Sequence, residues 1–284
     1  MKTLSSNDSG RFQSAKDRLL PLTQPPQTVR HNIFDSVFKP VMTIEQASHI
    51  FEQKKRKSMF GLFDGGEKIA GIFEGYAPIA SYLLEKTKER TFPPGSLASS
   101  GKNRFYVNLN NCALLFVNLG FNRKNPTVKN TDVLQKIIDL PEPSVRILSD
   151  IVENEQIRFD KISPDYMMFL QQNNELLMSL IGLELISFSH DLRGYVSNLN
   201  MPRFTDKRYD LSAHILTEKS FASTCQPDTI IYSPEAVLEL LSDFLKSDGV
   251  FEAVTYMSYF RAKYVGRDGL LRSDELKNVG FING

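Results

Sequence analysis

The segment Phe60-Gly61-Leu62-Phe63-Asp64-Gly65-Gly66 carries the most legible chemistry in this chain. An apolar run ends in Asp64-Gly65 and passes into a glycine turn. A carboxylate at a strand end binds a hard cation, and Gly65, lacking a Cβ, lets its own carbonyl approach the ion. Taken alone, the same residues also make an ordinary Asp-Gly turn. A second acidic stretch, Gly266 to Glu275 (GRDGLLRSDE), partly fits a calcium loop, with Asp268, Gly269, Leu271 and Glu275 at positions 5, 6, 8 and 12. Tyr264 and Gly266 would stand at positions 1 and 3 and offer no carboxylate, so a surface turn between two helical pieces is expected there. His31, His49, His190 and His214 are scattered and show no zincin spacing. Cys112 and Cys225 support neither a disulfide framework nor a cysteine zinc site, which points to a reducing compartment. No P-loop, G-x-G-x-x-G or G-x-S-x-G motif occurs.

The elements that would position these residues alternate along the chain. Short apolar runs bounded by turn residues read as strands at 59–63, 104–109, 113–118, 183–188 and 229–232. Asn110-Asn111-Cys112 between two of them reads as a tight hairpin, because Asn tolerates positive φ. Thr43-Ile-Glu-Gln46 is a capping box before a helix to about Lys55. Pro78 opens a second expected helix to about Arg90, with Ile79, Leu83 and Leu84 on one face. A third runs from Pro143 to Asn154. Ser163-Pro164 and Ser233-Pro234 each pair an N-cap serine with a first-turn proline and start two more. A sixth is expected over 250–264. Hairpin strands with helices inserted between them make an α+β layered domain. Residues 1–29, rich in Ser, Asp, Gln and Pro, read as a flexible leader before a single domain over 30–284.

A second motif gives Asp64 a context. Leu115-Phe-Val-Asn-Leu-Gly-Phe-Asn-Arg123 is a strand running into a Gly turn with an Asn-Arg end. Together with Phe60–Gly66 it resembles the PP2C (PPM) metal-dependent serine/threonine phosphatases, which carry F-G-V-F-D-G-H-G-G and then V-A-N-V-G-D-S-R. Further segments fall in the family's order. Arg30-His-Asn-Ile-Phe-Asp35 has the spacing of R-x-x-x-E-D, and Ser189-His-Asp-Leu-Arg-Gly-Tyr195 is similar to S-R-x-L-G-D. Asp228-Thr-Ile-Ile-Tyr-Ser-Pro-Glu235 is similar to D-x-F-L-I-L-A-S-D-G-L-W-D. The likeness spans roughly residues 30 to 270. It implies a β-sandwich of two antiparallel sheets flanked by helix pairs. It also implies two Mn²⁺ or Mg²⁺ ions that activate a bridging water for attack on a phosphoserine or phosphothreonine.

Carried over residue by residue, the resemblance makes Arg30 the phosphate-binding arginine. Asp35, Asp64, the Gly65 carbonyl and Asp268 become metal ligands. The departures are as informative. Gly66 stands where the family has its leaving-group His, and Phe121 and Tyr195 stand where it has aspartates. Ser233-Pro234 replaces its late Asp-Gly, and no final strand is expected over 269–284. Two close divalent cations repel and need several carboxylates to offset that repulsion. The set left here is vestigial, so no cofactor is expected, with Mn or Mg only if a residual site survives.

Composition narrows the partners. The chain has 284 residues, 34 basic and 33 acidic side chains and a formal charge of +1, too balanced for a mainly electrostatic nucleic-acid binder. The N-terminus lacks the apolar stretch of a signal peptide, and no apolar run reaches membrane-span length. The expectation is a cytoplasmic or nuclear pseudophosphatase that binds a protein partner such as a kinase or phosphoprotein, with no nucleic acid and no membrane span. The alternatives are a weakly active Mn/Mg-dependent Ser/Thr phosphatase and an unrelated α+β scaffolding protein. The run Lys54-Lys55-Arg56-Lys57 is expected at a solvated helix end.

Overall fold

The computed structural model describes residues 32–34, 36–55, 67–86, 101–117, 133–138, 140–199, 204, 207–217, 221–223, 227–266 and 269–279. Two strands dominate it. β3 (Lys68–Lys86) has 19 residues and β11 (Asp248–Val265) has 18. They pair antiparallel almost end to end, from Lys68 opposite Val265 to Glu85 opposite Asp248. At the rise of an extended chain each is about 60 Å long. This ribbon is the spine of a seven-stranded sheet that also contains β2 (Val37–Phe38), β4 (Gly101–Asn108), β5 (Leu114–Leu115), β9 (Ile215–Leu216) and β12 (Leu271–Lys277). The order is β5-β4-β3-β11-β2-β9, with β12 also on β11. β1 (Asn32–Phe34) pairs separately with β10 (Phe221–Ser223).

The helices expected over 78–90 and 250–264 are therefore strands where the structure describes them. The error has a physical source. A central strand is buried on both faces, so its apolar residues run together and imitate a helix face. Ala77 to Tyr82 is buried throughout. Farther along β11 the period of two is plain, because Phe260, Ala262 and Tyr264 are buried while Arg261 and Lys263 are exposed. Pro78, which lacks an N–H, is tolerated because of where it sits. Its carbonyl accepts from the Leu109 N–H just beyond the end of β4, so the missing donor faces the end of that ladder.

The final strand, not expected from the sequence, is β12. It pairs antiparallel with β11 from Tyr259–Lys277 to Val265–Leu271. The turn between them closes with the Gly266 N–H on the Leu270 carbonyl, and Gly269 takes φ 74°. The stretch that partly fits a calcium loop is thus a β-hairpin. Tyr264 is buried in one strand, and Glu275 on the other pairs with Arg261 at 3.0 Å. The strand expected over 229–232 does not form: 229–231 carry no regular structure and Tyr232 makes only an isolated bridge, while the Ile231 and Tyr232 N–H groups donate to the Leu109 carbonyl.

Local signals held wherever a cap fixed them. α1 (Ile44–Gln53) starts with the capping box, the Thr43 N–H donating to Gln46 Oε1 at 2.9 Å. Lys54 and Lys55 lie at its end and pair with Asp274 and Glu52. After the short α2 (Val133–Ile137) comes α3 (Glu142–Glu153), with Pro143 in its first turn. Ser163 and Ser233 cap α4 (Pro164–Gln172) and α6 (Pro234–Leu245), accepting from Tyr166 N and Ala236 N at 3.2 Å each. α5 (Asn174–Gly182) follows α4 after one residue, Asn173. The Asn110–Cys112 hairpin also forms, with Cys112 at φ 52° and Tyr106 and Val107 opposite Leu115 and Leu114.

A small antiparallel sheet, order β6-β8-β7, comprises β6 (Gln156–Arg158), β7 (Ile186–Ser189) and β8 (Gly194–Ser197). The strand expected to begin at 183 begins at Ile186, because the chain first closes α5 through Glu184 at φ 58°. Gly194 is required, since a Cβ there would fall on the Ile157 carbonyl oxygen. The largest core joins Tyr82, Leu84, Phe105 and Val107 of the large sheet to α3 through α6 and to Ile157, Ile186 and Tyr195 of the small one. α6 packs on β3 and β11, while α3 packs on α6, α5, β6 and β8. Those helices stand between the ribbon and the small sheet. Ala77, Ile79, Tyr106 and Met257 form a second core, and α1 covers Phe260, Ala262 and Tyr264 in a third.

The architecture is α+β, with one large sheet, one small antiparallel sheet and helices. The large sheet is mixed, since β2 runs parallel to β11, whereas the PP2C resemblance implies antiparallel sheets throughout.

Candidate functional site

Arg30, Asp35, Asp64, Gly65 and Asp268 lie outside the described residues, as do Gly66 and Phe121. Two other positions of the resemblance are described. Tyr195, where the family has an aspartate, is 8% exposed and sits in a ring cluster, 5.6 Å from Phe159 and 5.7 Å from Phe188 between centroids. Burial holds its phenol above the usual range. Ser233 spends its hydroxyl on the α6 cap. Neither side chain is a carboxylate. Among the described residues no group of three or more His, Cys, Asp or Glu side chains could hold one.

Cys112 is fully buried, and burial pushes its thiol up to about 12. At neutral pH it is a protonated core residue and not a nucleophile. His49 bonds Gln53, and His190 stands edge-on to Phe188 at 4.9 Å.

The structure assembles two polar clusters that spacing did not reveal. The first is buried. Lys246 Nζ bonds both Asp150 and Glu153, the latter at 3.0 Å, and Lys86 Nζ lies 2.6 Å from Glu153. Tyr166 donates to Asp150 at 2.7 Å, and the tyrosine is held deprotonation-resistant by burial first and by the Asp150 charge second. The Asp150 and Glu153 side chains are 3% and 5% exposed, so each carboxylate depends on protein partners. Two ammonium groups face two carboxylates, which balances the charge and leaves no unshared anionic pair for a cation. The cluster draws on the end of β3, on α3 and α4, and on Lys246 just past α6. Lys246 is left-handed at φ 49°. Its chemistry is to fasten the ribbon to the helices. No local pattern could have found it, because Lys86 and Lys246 are 160 residues apart.

The second cluster lies where the β4–β5 hairpin meets β11. Asp228 accepts from Asn110 Nδ2 at 3.1 Å and from the Tyr259 hydroxyl at 2.8 Å. Burial, then the bond to Asp228, raises the Tyr259 phenol. The Arg261 guanidinium stacks over the Tyr259 ring at 5.1 Å and pairs with Glu275. Asp228 opens the segment that resembles the family's late strand, and its carboxylate is taken up in closing the sheet.

Neither cluster presents a free nucleophile, an acid–base pair or an open ligand set. Both clusters hold elements of the fold together. A scan against family models gave no match, and searches of curated proteins and of solved structures gave none either. No helix among the described residues is long and apolar enough to cross a membrane.

Proposed function

We propose that this chain acts by binding a protein partner and not by metal-dependent hydrolysis, as a pseudophosphatase-like regulatory module in phospho-signalling. The observation that carries this reading is the fate of the two described positions where the resemblance has an aspartate and this chain does not. Tyr195 is packed among aromatic rings, and Ser233 caps a helix. Each position has a structural task where the family has a carboxylate. The partner is a kinase or a phosphoprotein, and Arg30 is the residue left to hold its phosphate.

The test is Mn²⁺-dependent hydrolysis of a phosphothreonine peptide by the folded chain and by Asp64→Asn. The expected result is no hydrolysis by either. Hydrolysis lost in Asp64→Asn overturns the proposal in favour of a weakly active Mn/Mg-dependent phosphatase, which the retained Arg30, Asp35 and Asp64 support. The parallel β2–β11 pairing favours a different reading, an α+β scaffolding protein unrelated to the phosphatases. Calorimetric titration with the same peptide separates the two. A scaffold binds it no differently after Arg30→Ala, whereas the pseudophosphatase loses most of its binding.

A further inference from the structure

Residues 142–197 run helix, strand, helix, helix, strand, strand, and the three strands align in the order first, third, second. That is the connectivity of a winged helix-turn-helix. α4 and α5 are its central helix pair, and the turn from His190 to Arg193 is its wing. In nucleic-acid readers the second helix of the pair enters the major groove, and lysines and arginines around it meet the phosphates. Here the helix pair itself lacks that chemistry, and the cations beside it are Lys161, Arg193 in the turn and Arg146, which lies over the Phe169 ring of α4 at 5.7 Å. Residues 162–189 contain no Lys, Arg or His and three acids, Asp165, Glu175 and Glu184. Along the helix pair itself a duplex would meet Asp165, Glu175 and Glu184 and no cation of 162–189.

The outward faces carry something else. Tyr166 and Leu170 of α4 and Leu177 and Leu180 of α5 are buried in the main core, which turns the opposite faces to solvent. On those faces Met168 is 54% and Met178 is 53% exposed. Leu183 and Phe188, each 41% exposed, follow directly along the chain. So four of the eleven exposed large apolar side chains of the described residues fall within 21 consecutive positions. Asp165 and Glu175 are also exposed there. Methionine is unbranched and polarisable, and suits surfaces that accept an amphipathic helix. Acids beside it select the charge of that helix.

We propose that α4 and α5 form a docking face for a basic amphipathic helix of a partner protein. The apolar stripe of the incoming helix covers Met168 and Met178, and its lysines or arginines pair with Asp165 and Glu175. The inference goes beyond the pseudophosphatase reading and does not rest on it, since none of these residues takes part in the phosphatase motifs.

The test titrates the full chain with a fluorescein-labelled 18-residue Leu/Lys amphipathic helix, its Leu/Glu counterpart and a 20-base-pair DNA duplex. Anisotropy should rise and saturate with the Leu/Lys peptide alone, and the affinity should fall as salt is raised. Met178→Glu and the pair Asp165→Lys with Glu175→Lys should each weaken it by roughly tenfold or more, the loss of one good contact. These side chains are exposed, and an unchanged far-UV spectrum confirms that the variants fold. Val250→Glu, an exposed apolar position on β11, should leave binding unchanged. Failure to bind the Leu/Lys peptide overturns the proposal, as does binding that Met178→Glu does not weaken. Preferential binding of the duplex overturns it in favour of nucleic acid. None of these outcomes touches the hydrolysis assay, so the two readings fail separately.

Discussion

The helical unit and the long ribbon obey different rules. In the helical part of the chain several helix starts are set by residues within a few positions of them, as when Ser163 accepts from Tyr166 N, Ser233 accepts from Ala236 N and Pro143 stands in the first turn of α3. The ribbon contains no such device. β3 and β11 are separated by more than 160 residues and exist only because they pair with each other. Their apolar runs, read alone, look like helix faces. A cap is written into the adjacent sequence, whereas a ladder is a relation between distant segments. The difference teaches where local reading can be trusted in this chain. It holds where a side chain satisfies its neighbours' backbone, and fails where a remote strand does so.

The comparison should show in energetics, because ties between the regions ought to outweigh devices within one. The largest effect is expected at the buried ionic cluster. Lys246→Met leaves Asp150 and Glu153 with one ammonium between them and should destabilise the fold by about 3–5 kcal/mol, the usual cost of breaking a buried pair. Urea unfolding would measure it. Met occupies the same left-handed backbone as Lys, so the change isolates the charge. A loss under 1 kcal/mol would mean that the Lys246 charge adds little to the packing of α6 on α3, with the Lys86–Glu153 tie to the ribbon still in place.

Removing a local device should matter less. Ser233→Ala deletes the hydroxyl that accepts from Ala236 N and should cost about 1 kcal/mol. Ser233→Asp, which restores an acceptor, should recover that loss. If the cap variant destabilised more than Lys246→Met, the contrast between local and long-range stabilisation would be reversed.

The smallest effect under ordinary conditions is the titration of the core at the β4–β5 hairpin. Cys112 releases its proton near 9.0 in an open chain and only at about 12 when buried. Above pH 9 the unfolded chain therefore loses a proton that the folded chain keeps. Stability is full below that pH and should decline as pH rises towards 12. Burial raises Tyr82 and Tyr106 as well, which adds to the decline in the same direction. In a Cys225→Ser background, iodoacetamide at pH 8 should modify Cys112 only after urea unfolds the chain. Rapid alkylation of the folded protein would show that the hairpin opens.

Sequence alone determined five of the structure's local features: three cap-defined helix starts, the Pro143 helix and the hairpin at Asn110–Cys112. It also determined the α+β class; Arg30, Asp35, Asp64, Gly65 and Asp268, which the phosphatase resemblance singled out, lie outside the described residues. It misread the ribbon because Pro78 and the fully buried run beside it imitate a helix start and a helix face. It expected a turn and no strand where β12 runs, because five of the seven residues Leu271–Lys277 are polar and become a strand only through β11. Tertiary structure decided the seven-stranded order, the parallel placing of β2, and the meeting of Lys86, Asp150, Glu153, Tyr166 and Lys246. The physical reason is the range over which each partner acts. A side chain capping its own helix finds its acceptor or donor a few residues away. A strand edge or a buried charge is satisfied only by a partner that the chain's path brings from far along the sequence.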